Sequence, residues 1–214
     1  VNNVMPFSLI VWGQHHITSS LASILNATTP FFTIVLAHFL TREERISKNR
    51  LLGLVIGFIG VSIIVGQDFV EGVGVGTWAQ FAVLGAAFLY GVALVYGRKF
   101  HSMGIKPIIA ATGQLTASTL VLFPIVLLAD SPWALTNPSG TTWAAIIGLG
   151  VLSTAFAFFL YYRLLATAGA VNISLVTFLI PVSAIFLGVL FLNERLESQH
   201  IVGMAVIWLG LAWQ

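Results

Sequence analysis

Long apolar stretches follow one another along the whole chain, with short polar loops between them. Seven of them have the length needed to cross roughly 30 Å of hydrocarbon as helices, and one more is truncated. They cover residues 4–13 (the truncated stretch), 18–40, 50–66, 77–97, 107–129, 142–162, 170–192 and 200–214. The pattern predicts an all-α integral membrane protein, a helical bundle with seven transmembrane segments and part of another.

Composition excludes several other classes of protein. The chain is 58% hydrophobic and 7% charged, whereas an average soluble domain is roughly 25% charged. The sequence pI near 9.2 rests on a net charge of only +2, and no basic patch with interleaved aromatic residues occurs, so we expect no nucleic-acid partner. The absence of cysteine from this sequence excludes disulfides and thiolate metal sites within it.

The loops alternate in charge along the chain. Those on one side of the predicted membrane carry most of the basic residues: Arg42, Arg45, Lys48, Arg50, Arg98, Lys99, Lys106 and Arg163. The loops on the other side carry carboxylates and a single cation, Arg195. Because basic residues are enriched in cytoplasmic loops, we expect the 40–50 loop to be cytoplasmic and the 193–199 loop to be external.

Residues 17–62 align with residues 168–212 as a weak internal repeat. Pro30 meets Pro181, Ser23 meets Ser174, and a Glu-Arg pair follows each proline. The two Glu-Arg loops are assigned to opposite sides of the membrane, so the repeats are inverted. Inverted repeats are typical of secondary transporters that alternate access around a midplane site. The alternative is a chance similarity between two pairs of apolar helices.

The two aligned prolines fall inside predicted helices. A proline in a helix interior removes one backbone hydrogen bond and costs about 3 kcal/mol. We expect Pro30 to leave the carbonyl of Asn26 without its helical donor, and Pro181 to do the same to Thr177. The prolines would then bend two equivalent helices and expose hydrogen-bonding groups to a central cavity.

Polar side chains form a stripe around each proline and provide the candidate substrate site. A polar stripe at bilayer depth must face protein or a water-filled cavity. The candidate substrate-binding residues are Ser23, Asn26, Pro30, Tyr90, Gln114, Thr116, Ser174, Thr177 and Pro181. The alternative for each hydroxyl is a hydrogen bond back to its own helix or to a neighbouring helix.

Chemistry other than transport has little support in the sequence. All seven carboxylates lie in loops or at span ends, so the spans lack the buried acid that often marks proton coupling. His15 and His16 are adjacent, and no metal-binding spacing such as H-E-x-x-H occurs. We therefore expect no catalytic residue, no metal site and no cofactor.

Glycines form a face of small residues on one predicted helix. Gly53, Gly57 and Gly60 lie on the 50–66 helix, and Gly203 and Gly210 repeat the face in part. We expect this face to support close helix packing inside the repeat, and a homodimer seam is the alternative.

The two proline segments together resemble a known family. "SILNATTPFFTIVLAHFLTREER" (residues 23–45) is similar to the end of the first EamA-type repeat of the drug/metabolite transporter superfamily, and "SLVTFLIPVSAIFLGVLFLNER" (174–195) to the matching part of the second. The resemblance implies ten helices in two inverted halves, of which this chain would be a fragment from the third helix to the tenth. It divides the chain into the C-terminal part of the first repeat (1–66), an external connecting loop (67–76) and the second repeat (77–214).

Together these features predict a membrane carrier that exports small metabolites, such as amino acids or related compounds, by alternating access around a midplane cavity. The alternatives are a nucleotide-sugar or drug transporter of the same fold, or a membrane scaffold that transports nothing. An enzyme is not expected. The expected partners are a small-molecule substrate and the lipid bilayer, and the expected location is the plasma membrane, in a prokaryote the inner membrane.

Overall fold

A computed structural model of the chain describes residues 2–40, 47–71, 74–129, 133, 137–192 and 197–212. The two Glu-Arg pairs of the predicted repeat, Glu44-Arg45 and Glu194-Arg195, lie outside the described residues, as do Arg42 and Asp130. All of the longer regular elements in the described ranges are helical.

The helices are numbered α1 to α11 in chain order. They are α1 (Val4–Gln14), α2 (Ser19–Asn26), α3 (Thr29–Leu40), α4 (Lys48–Glu71), α5 (Val75–Ser102), α6 (Pro107–Ala129), α7 (Gly140–Gly148), α8 (Ala157–Ala168), α9 (Ala170–Ser174), α10 (Leu179–Leu192) and α11 (Ser198–Ala212). A π-helical segment, Leu149–Phe156, joins α7 to α8, and a 3-10 turn, Leu175–Phe178, joins α9 to α10.

Local sequence signals explain several of these boundaries. The Thr18 hydroxyl accepts a hydrogen bond from the backbone N–H of Leu21 at 3.2 Å, and thereby caps the start of α2. The Ser139 hydroxyl caps α7 in the same way. Gly169 has a φ of +84°, which side-chain-bearing residues rarely adopt, so it ends α8 and separates it from α9.

The helices agree with the apolar stretches of the sequence. Four helical stretches are long and apolar enough to cross a membrane: Ser19–Leu40, Val75–Phe100, Pro107–Ala129 and Gly140–Ala168. Three shorter apolar helices are Val4–Gln14, Leu51–Ile64 and Ser198–Gly210. The predicted all-α membrane fold is confirmed. One boundary differs, because α4 continues to Glu71, and the predicted 67–76 loop is therefore helical at both of its ends.

The chain forms two compact units. The first combines Val1–Val95 with Ala170–Gln214, and the second is Tyr96–Gly169. These units differ from the two sequence repeats, because elements of both repeats pack together in the first unit. Its core contains Leu25, Phe31, Ile64, Val83 and Ile207, which come from α2, α3, α4, α5 and α11 and are at most 2% exposed.

Helices from the two repeats pack reciprocally in the first unit. α2 contacts α10, and α3 contacts α9. The segment before one proline thus meets the segment after the other proline, which is the arrangement of two antiparallel helices. α4 and α11, which follow the two prolines, also pack along each other. This is the pattern that a two-fold relation between inverted repeats produces.

The glycine faces show the same reciprocity. A Cβ atom on Gly60 would lie 2.8 Å from the carbonyl oxygen of Gly203. A Cβ atom on Gly210 would lie 2.5 Å from the carbonyl oxygen of Gly53. In the repeat alignment Gly53 corresponds to Gly203 and Gly60 to Gly210. Gly60 therefore meets Gly203, the counterpart of Gly53, and Gly53 meets Gly210, the counterpart of Gly60. Contacts of this kind occur at an interface between two-fold-related copies.

The packing of these glycines corrects one prediction. Gly53 and Gly60 approach α11, which belongs to the other repeat, whereas we expected packing inside one repeat. Gly57 does face its own repeat, because its Cα abuts the ring of Phe31. Within the chain, α11 and the ring of Phe31 occupy this face. Small residues allow the two backbones to approach closely, which strengthens dispersion contacts in lipid.

The second unit is built on α6 and α8, together with the end of α5. Tyr162 and Leu165 of α8 are buried in it, and a Cβ atom on Gly97 would lie 2.7 Å from Cδ2 of Leu165. The Tyr162 ring also lies against Phe100, with 6.1 Å between the ring centroids. Most other side chains of α6, α7 and α8 are exposed.

Candidate functional site

The helix containing the first proline is interrupted. α2 ends at Asn26, Ala27 and Thr28 form a turn, and α3 begins at Thr29. Pro30 is the second residue of α3, where its missing N–H costs little, because the first residues of a helix have no helical acceptor for their N–H groups. The chain avoids the cost of an interior proline by starting a new helix.

Two threonines close the end of α2. The Thr28 hydroxyl donates to the carbonyl oxygen of Leu25 at 2.6 Å, and the Thr29 hydroxyl donates to the carbonyl oxygen of Asn26 at 2.7 Å. We expected Pro30 to leave the Asn26 carbonyl without its helical backbone donor, and the side-chain hydroxyl of the residue before Pro30 takes that place. The signal was present in the sequence as two threonines directly before the proline.

The helix containing the second proline is also interrupted shortly before its proline. α9 ends at Ser174, the 3-10 turn covers Leu175–Phe178, and α10 begins at Leu179. Pro181 is the third residue of α10 and is buried. Both prolines thus lie in the first turn of a new helix. Because α2 packs on α10 and α3 on α9, the two breaks lie on a pair of antiparallel helices that contact each other.

The hydroxyls near the breaks bond within their own helices. Ser23 donates to the carbonyl oxygen of Ser20 at 2.6 Å, and Ser174 donates to that of Val171, also at 2.6 Å. Ser23 and Ser174 are aligned in the two repeats, and each makes the same bond to the residue three positions before it. The Thr177 hydroxyl donates to the carbonyl oxygen of Ser174 at 2.7 Å. The structure therefore favours the alternative for these three candidates, since each hydroxyl proton is already in a hydrogen bond.

The side chain of Asn26 differs from these hydroxyls. Its Oδ1 atom is buried and has no hydrogen-bond partner. Burying an amide oxygen without a partner costs about 1–3 kcal/mol, so such an atom needs an explanation. Asn26 is the last residue of α2, directly at the break, and the residue as a whole is half-buried. Its side chain is therefore an available hydrogen-bonding group at the interruption.

Tyr90 lies on α5, beside the first break. Its neighbour Gly91 abuts α3, since a Cβ atom there would lie 3.0 Å from the backbone nitrogen of Thr33, one turn after Pro30. The Tyr90 ring packs edge-on against Phe7 of α1, with 6.5 Å between the centroids. Tyr90 thus belongs to the first unit, with its ring against α1.

Two predicted residues lie in the other unit. Gln114 and Thr116 are both on α6, and Thr116 is exposed. The amide oxygen of Gln114 accepts a hydrogen bond from the Tyr162 hydroxyl of α8. Gln114 thus joins α6 to α8, a contact that the sequence did not indicate. Of the nine candidates, seven belong to the first unit and these two to the second.

The π-helical segment in the second unit was not predicted. It covers Leu149–Phe156 and includes Ser153 and Thr154. π-helical turns are rare, and they are found frequently at functional sites. No periodicity in this apolar stretch distinguishes it from an ordinary helix, so no signal in the sequence could have located it. Across the described parts of the chain, no group of three or more His, Asp or Glu side chains is placed to hold a metal ion.

The sequence matches the EamA-like transporter family over residues 1–66 and 77–213. The chain belongs to this family. Among similar proteins, "Uncharacterized transporter YoaV" of Bacillus subtilis is 27% identical over 206 residues, covering 95% of this chain and 68% of the relative. "Probable amino-acid metabolite efflux pump" of Escherichia coli is 25% identical over 199 residues, covering 90% of this chain and 66% of the relative. The chain spans about two thirds of the length of these relatives.

The fold is also similar to that of a solved crystal structure. The two superpose with a TM-score of 0.69 at 17% sequence identity, covering 97% of this chain and 70% of the other. At that identity the similarity concerns the fold alone. Family and fold together make the chain a multi-pass membrane protein of a transporter family and not of an enzyme family.

Proposed function

We propose that the protein is a carrier that exports small polar or amphipathic metabolites, with amino acids as the first class to test. Transport would occur by alternating access, with the binding site at the two helix breaks in the middle of the bilayer. The membrane would be the plasma membrane. The E. coli relative named as an amino-acid metabolite efflux pump supports this choice of substrate class and direction.

The observation that carries the proposal is the paired interruption with the unpartnered Asn26 amide at its edge. Discontinuous helices in transporters place their broken ends at the substrate site, because an unwound backbone is tolerated in a membrane only where it faces protein or a polar cavity. Here both interruptions lie on a pair of contacting helices, and the buried Oδ1 of Asn26 has no hydrogen-bond partner in the described part of the chain. A substrate ammonium or hydroxyl would supply the missing donor.

The other candidates would have supporting roles. Tyr90, whose ring packs against Phe7 of α1, would offer an aromatic wall, and aromatic side chains suit solutes with apolar groups. Pro30 and Pro181 keep the helices interrupted, because neither can donate the backbone hydrogen bond of a continuous helix. Ser23, Ser174 and Thr177 can still accept hydrogen bonds through their hydroxyl oxygens, although their protons are used.

The first experiment is export from cells that express the full-length protein. Cells are loaded with a panel of labelled amino acids, and efflux is compared with that from cells carrying the empty vector. Asn26→Leu keeps the number and branching of the side-chain heavy atoms and removes the amide oxygen and nitrogen. Ser62→Ala is the matched control, since Ser62 is exposed and its hydroxyl bonds to the carbonyl oxygen of Phe58 within α4.

Selective export that Asn26→Leu abolishes and Ser62→Ala preserves would support both the carrier and its site. Export that is equally reduced by the two variants would contradict the site, because Ser62 has no part in it. No export of any amino acid from protein present in the membrane would contradict the substrate class. The panel would then move to nucleotide sugars and drugs.

A further inference from the structure

Basic side chains are brought together at one end of the second unit. Arg98 and Lys99 lie near the end of α5, Lys106 directly precedes α6, and Arg163 is on α8. Lys99, Lys106 and Arg163 are exposed, and these three residues with Arg98 are called the basic end. The Lys99 Nζ atom lies 4.5 Å from the centroid of the Tyr96 ring, which helps to hold this charge at the surface. The loop charges assign the basic end to the cytoplasmic side of the membrane.

The turn after α5 places Lys106 beside the end of that helix. Gly104 has a φ of +71°, and the backbone N–H of Ile105 donates to the carbonyl oxygen of Phe100 at 2.9 Å. This is the Schellman arrangement, which ends many helices with a glycine in the left-handed conformation. Because Ile105 directly precedes Lys106 and Phe100 directly follows Lys99, this hydrogen bond brings the two lysines to the same end of the unit.

Packing between α5 and α8 places Arg163 near the level of Lys99. A Cβ atom on Gly97 would lie 2.7 Å from Cδ2 of Leu165. Arg163 precedes Leu165 by two residues and Lys99 follows Gly97 by two residues, so each lies about 3 Å along its own helix from this contact. The two cations therefore differ in level by at most about 6 Å. Three separate segments of the chain thus contribute charge to the basic end.

The sequence of the second unit offers almost no carboxylate to balance these charges. Between residues 96 and 169 the sequence contains one acidic residue, Asp130, which follows the last residue of α6. Lys106 precedes the first residue of this helix, whose 23 residues are about 35 Å long. The first turn of α6 adds the partial positive charge of a helix N-terminus. The second unit is therefore strongly positive at the basic end.

Exposed apolar side chains lie beside these cations along the chain. They are Phe100, Ile108, Ile109, Leu160 and Leu164. They belong to helical stretches that are long and apolar enough to cross a membrane, so their exposed faces suit the acyl chains of lipid. The basic end thus combines a charged part, which suits a phosphate, with an apolar part, which suits a hydrocarbon chain.

We propose that the basic end binds an anionic phospholipid of the cytoplasmic leaflet, with Lys99, Lys106 and Arg163 around the phosphate and the exposed apolar side chains along the acyl chains. Basic pockets between transmembrane helices on the cytoplasmic side suit such headgroups. A soluble phosphate compound would use the charges alone, and a zwitterionic phospholipid would bring a cation of its own. An anionic phospholipid matches both parts of the site, whichever solute the protein transports.

Native mass spectrometry of the full-length protein measures this binding directly. Protein purified in detergent is titrated with phosphatidylglycerol or with phosphatidylcholine of the same acyl chains, and the bound fraction is read from the mass of the complex. Glycerol phosphate is the third probe, since it has the phosphate and lacks the acyl chains. Lys99→Gln and Arg163→Gln each remove one charge from the basic end. Lys48→Gln is the matched control, because it removes an equal charge from an exposed residue of the other unit.

We expect the wild-type protein to bind phosphatidylglycerol at least about tenfold more tightly than phosphatidylcholine. Lys99→Gln and Arg163→Gln should each weaken phosphatidylglycerol binding about fivefold, since each removes one cation near the headgroup, and should leave phosphatidylcholine binding within about twofold. Lys48→Gln should stay within about twofold of wild type for both lipids. Arg163→Lys keeps the charge and should retain most of the preference. Glycerol phosphate should not displace the bound lipid, because it lacks the apolar contact.

Several outcomes would overturn the lipid site. Equal binding of the two lipids by the wild-type protein is one of them. Equal losses in Lys48→Gln and Arg163→Gln are another, because the effect would then follow net charge and not this position. Displacement of the lipid by glycerol phosphate would show a site for soluble phosphate compounds instead. Thermal unfolding in lipid-free detergent should be the same for wild type and Arg163→Gln, since the side chain is exposed, and a lower midpoint together with weaker binding of both lipids would assign Arg163 a structural role instead.

Discussion

The break after Asn26 and the break after Ser174 each come shortly before one of the two aligned prolines, yet they are closed in different ways. The first is a two-residue turn at which threonine hydroxyls donate to the last two carbonyls of α2, and the Asn26 Oδ1 atom has no hydrogen-bond partner among the described residues. The second is a 3-10 turn in which the Thr177 hydroxyl already donates to the carbonyl oxygen of Ser174. Both repeats have the backbone interruption, and the side-chain atom without a partner, Oδ1 of Asn26, belongs to the first repeat.

This difference separates the residues that maintain the helix packing from the residue that is available for a ligand. Of the shared parts, the prolines and the serine hydrogen bonds act within each helix, and the reciprocal glycines join α4 to α11. The unshared part, Asn26 against Thr177, can specialise for a ligand without disturbing that geometry. Because a small metabolite is itself asymmetric, the two repeats can share a backbone arrangement while different side chains at Asn26 and Thr177 contact different parts of the ligand.

The largest effect should be a loss of stability when the glycine contact between α4 and α11 is disrupted. Gly210→Leu forces side-chain atoms into the backbone of α4, and overpacking of this kind costs about 3 kcal/mol. Gly60→Leu, at the aligned position, should cost a similar amount. Gly113→Leu is the control, because nothing lies within 4 Å of a Cβ atom there. Thermal unfolding of the purified protein, followed by size-exclusion chromatography, measures the loss, and unequal effects at Gly60 and Gly210 would contradict the reciprocal packing.

The next effect concerns the site itself. Asn26→Leu should reduce export at least tenfold, since loss of a hydrogen bond to a charged substrate group costs about 1.5–3 kcal/mol. Thr177→Val should reduce it only about twofold, because its hydroxyl proton bonds within its own helix. Initial efflux rates, normalised to the protein in the membrane, give the ratio. Equal losses in the two variants would show that both breaks contribute equally to binding.

A smaller effect is expected from the prolines. Pro30→Ala and Pro181→Ala restore a backbone donor in the first turn of α3 and of α10, and so allow a more continuous helix. We expect each to lower export by roughly threefold, which corresponds to somewhat under 1 kcal/mol, with little loss of folded protein. Hydrogen exchange of the amides around each break reports whether protection rises. Unchanged export together with raised protection would mean that the interruption is not needed for transport.

The smallest effect should come from the aligned serines. Ser23→Ala and Ser174→Ala each remove one hydrogen bond to a carbonyl in the same helix, worth about 1 kcal/mol or less. Their thermal midpoints should shift equally, and export should stay within about twofold of wild type. A selective loss of export in Ser23→Ala, with an unchanged thermal midpoint, would place that hydroxyl on the substrate.

The sequence predicted those parts of the structure that depend on neighbouring residues. The apolar stretches gave the spans, since the width of the bilayer fixes their length and most of their boundaries. The prolines marked both helix interruptions, because the missing N–H acts on the residues directly around it. The family could be recognised for the same reason, from motifs contained in short segments around Pro30 and Pro181.

The candidate site was less predictable, because hydrogen bonds depend on which atoms meet. Polar residues on a helix face do not reveal whether a hydroxyl bonds to its own backbone, as Ser23 does, or stays available, as the Asn26 amide does. The contact of Gln114 with Tyr162, 48 residues apart, could not be read from either helix.

The sequence by itself determined the class of the protein, its helices, the places where they break and the family to which it belongs, all of which follow from local composition and spacing. Only the tertiary structure decided that the glycine faces of α4 and α11 meet each other. It also decided that the Oδ1 atom of Asn26 is buried without a hydrogen-bond partner among the described residues. The physical reason is that such contacts join residues far apart in the chain, and packing selects them only after every helix has formed.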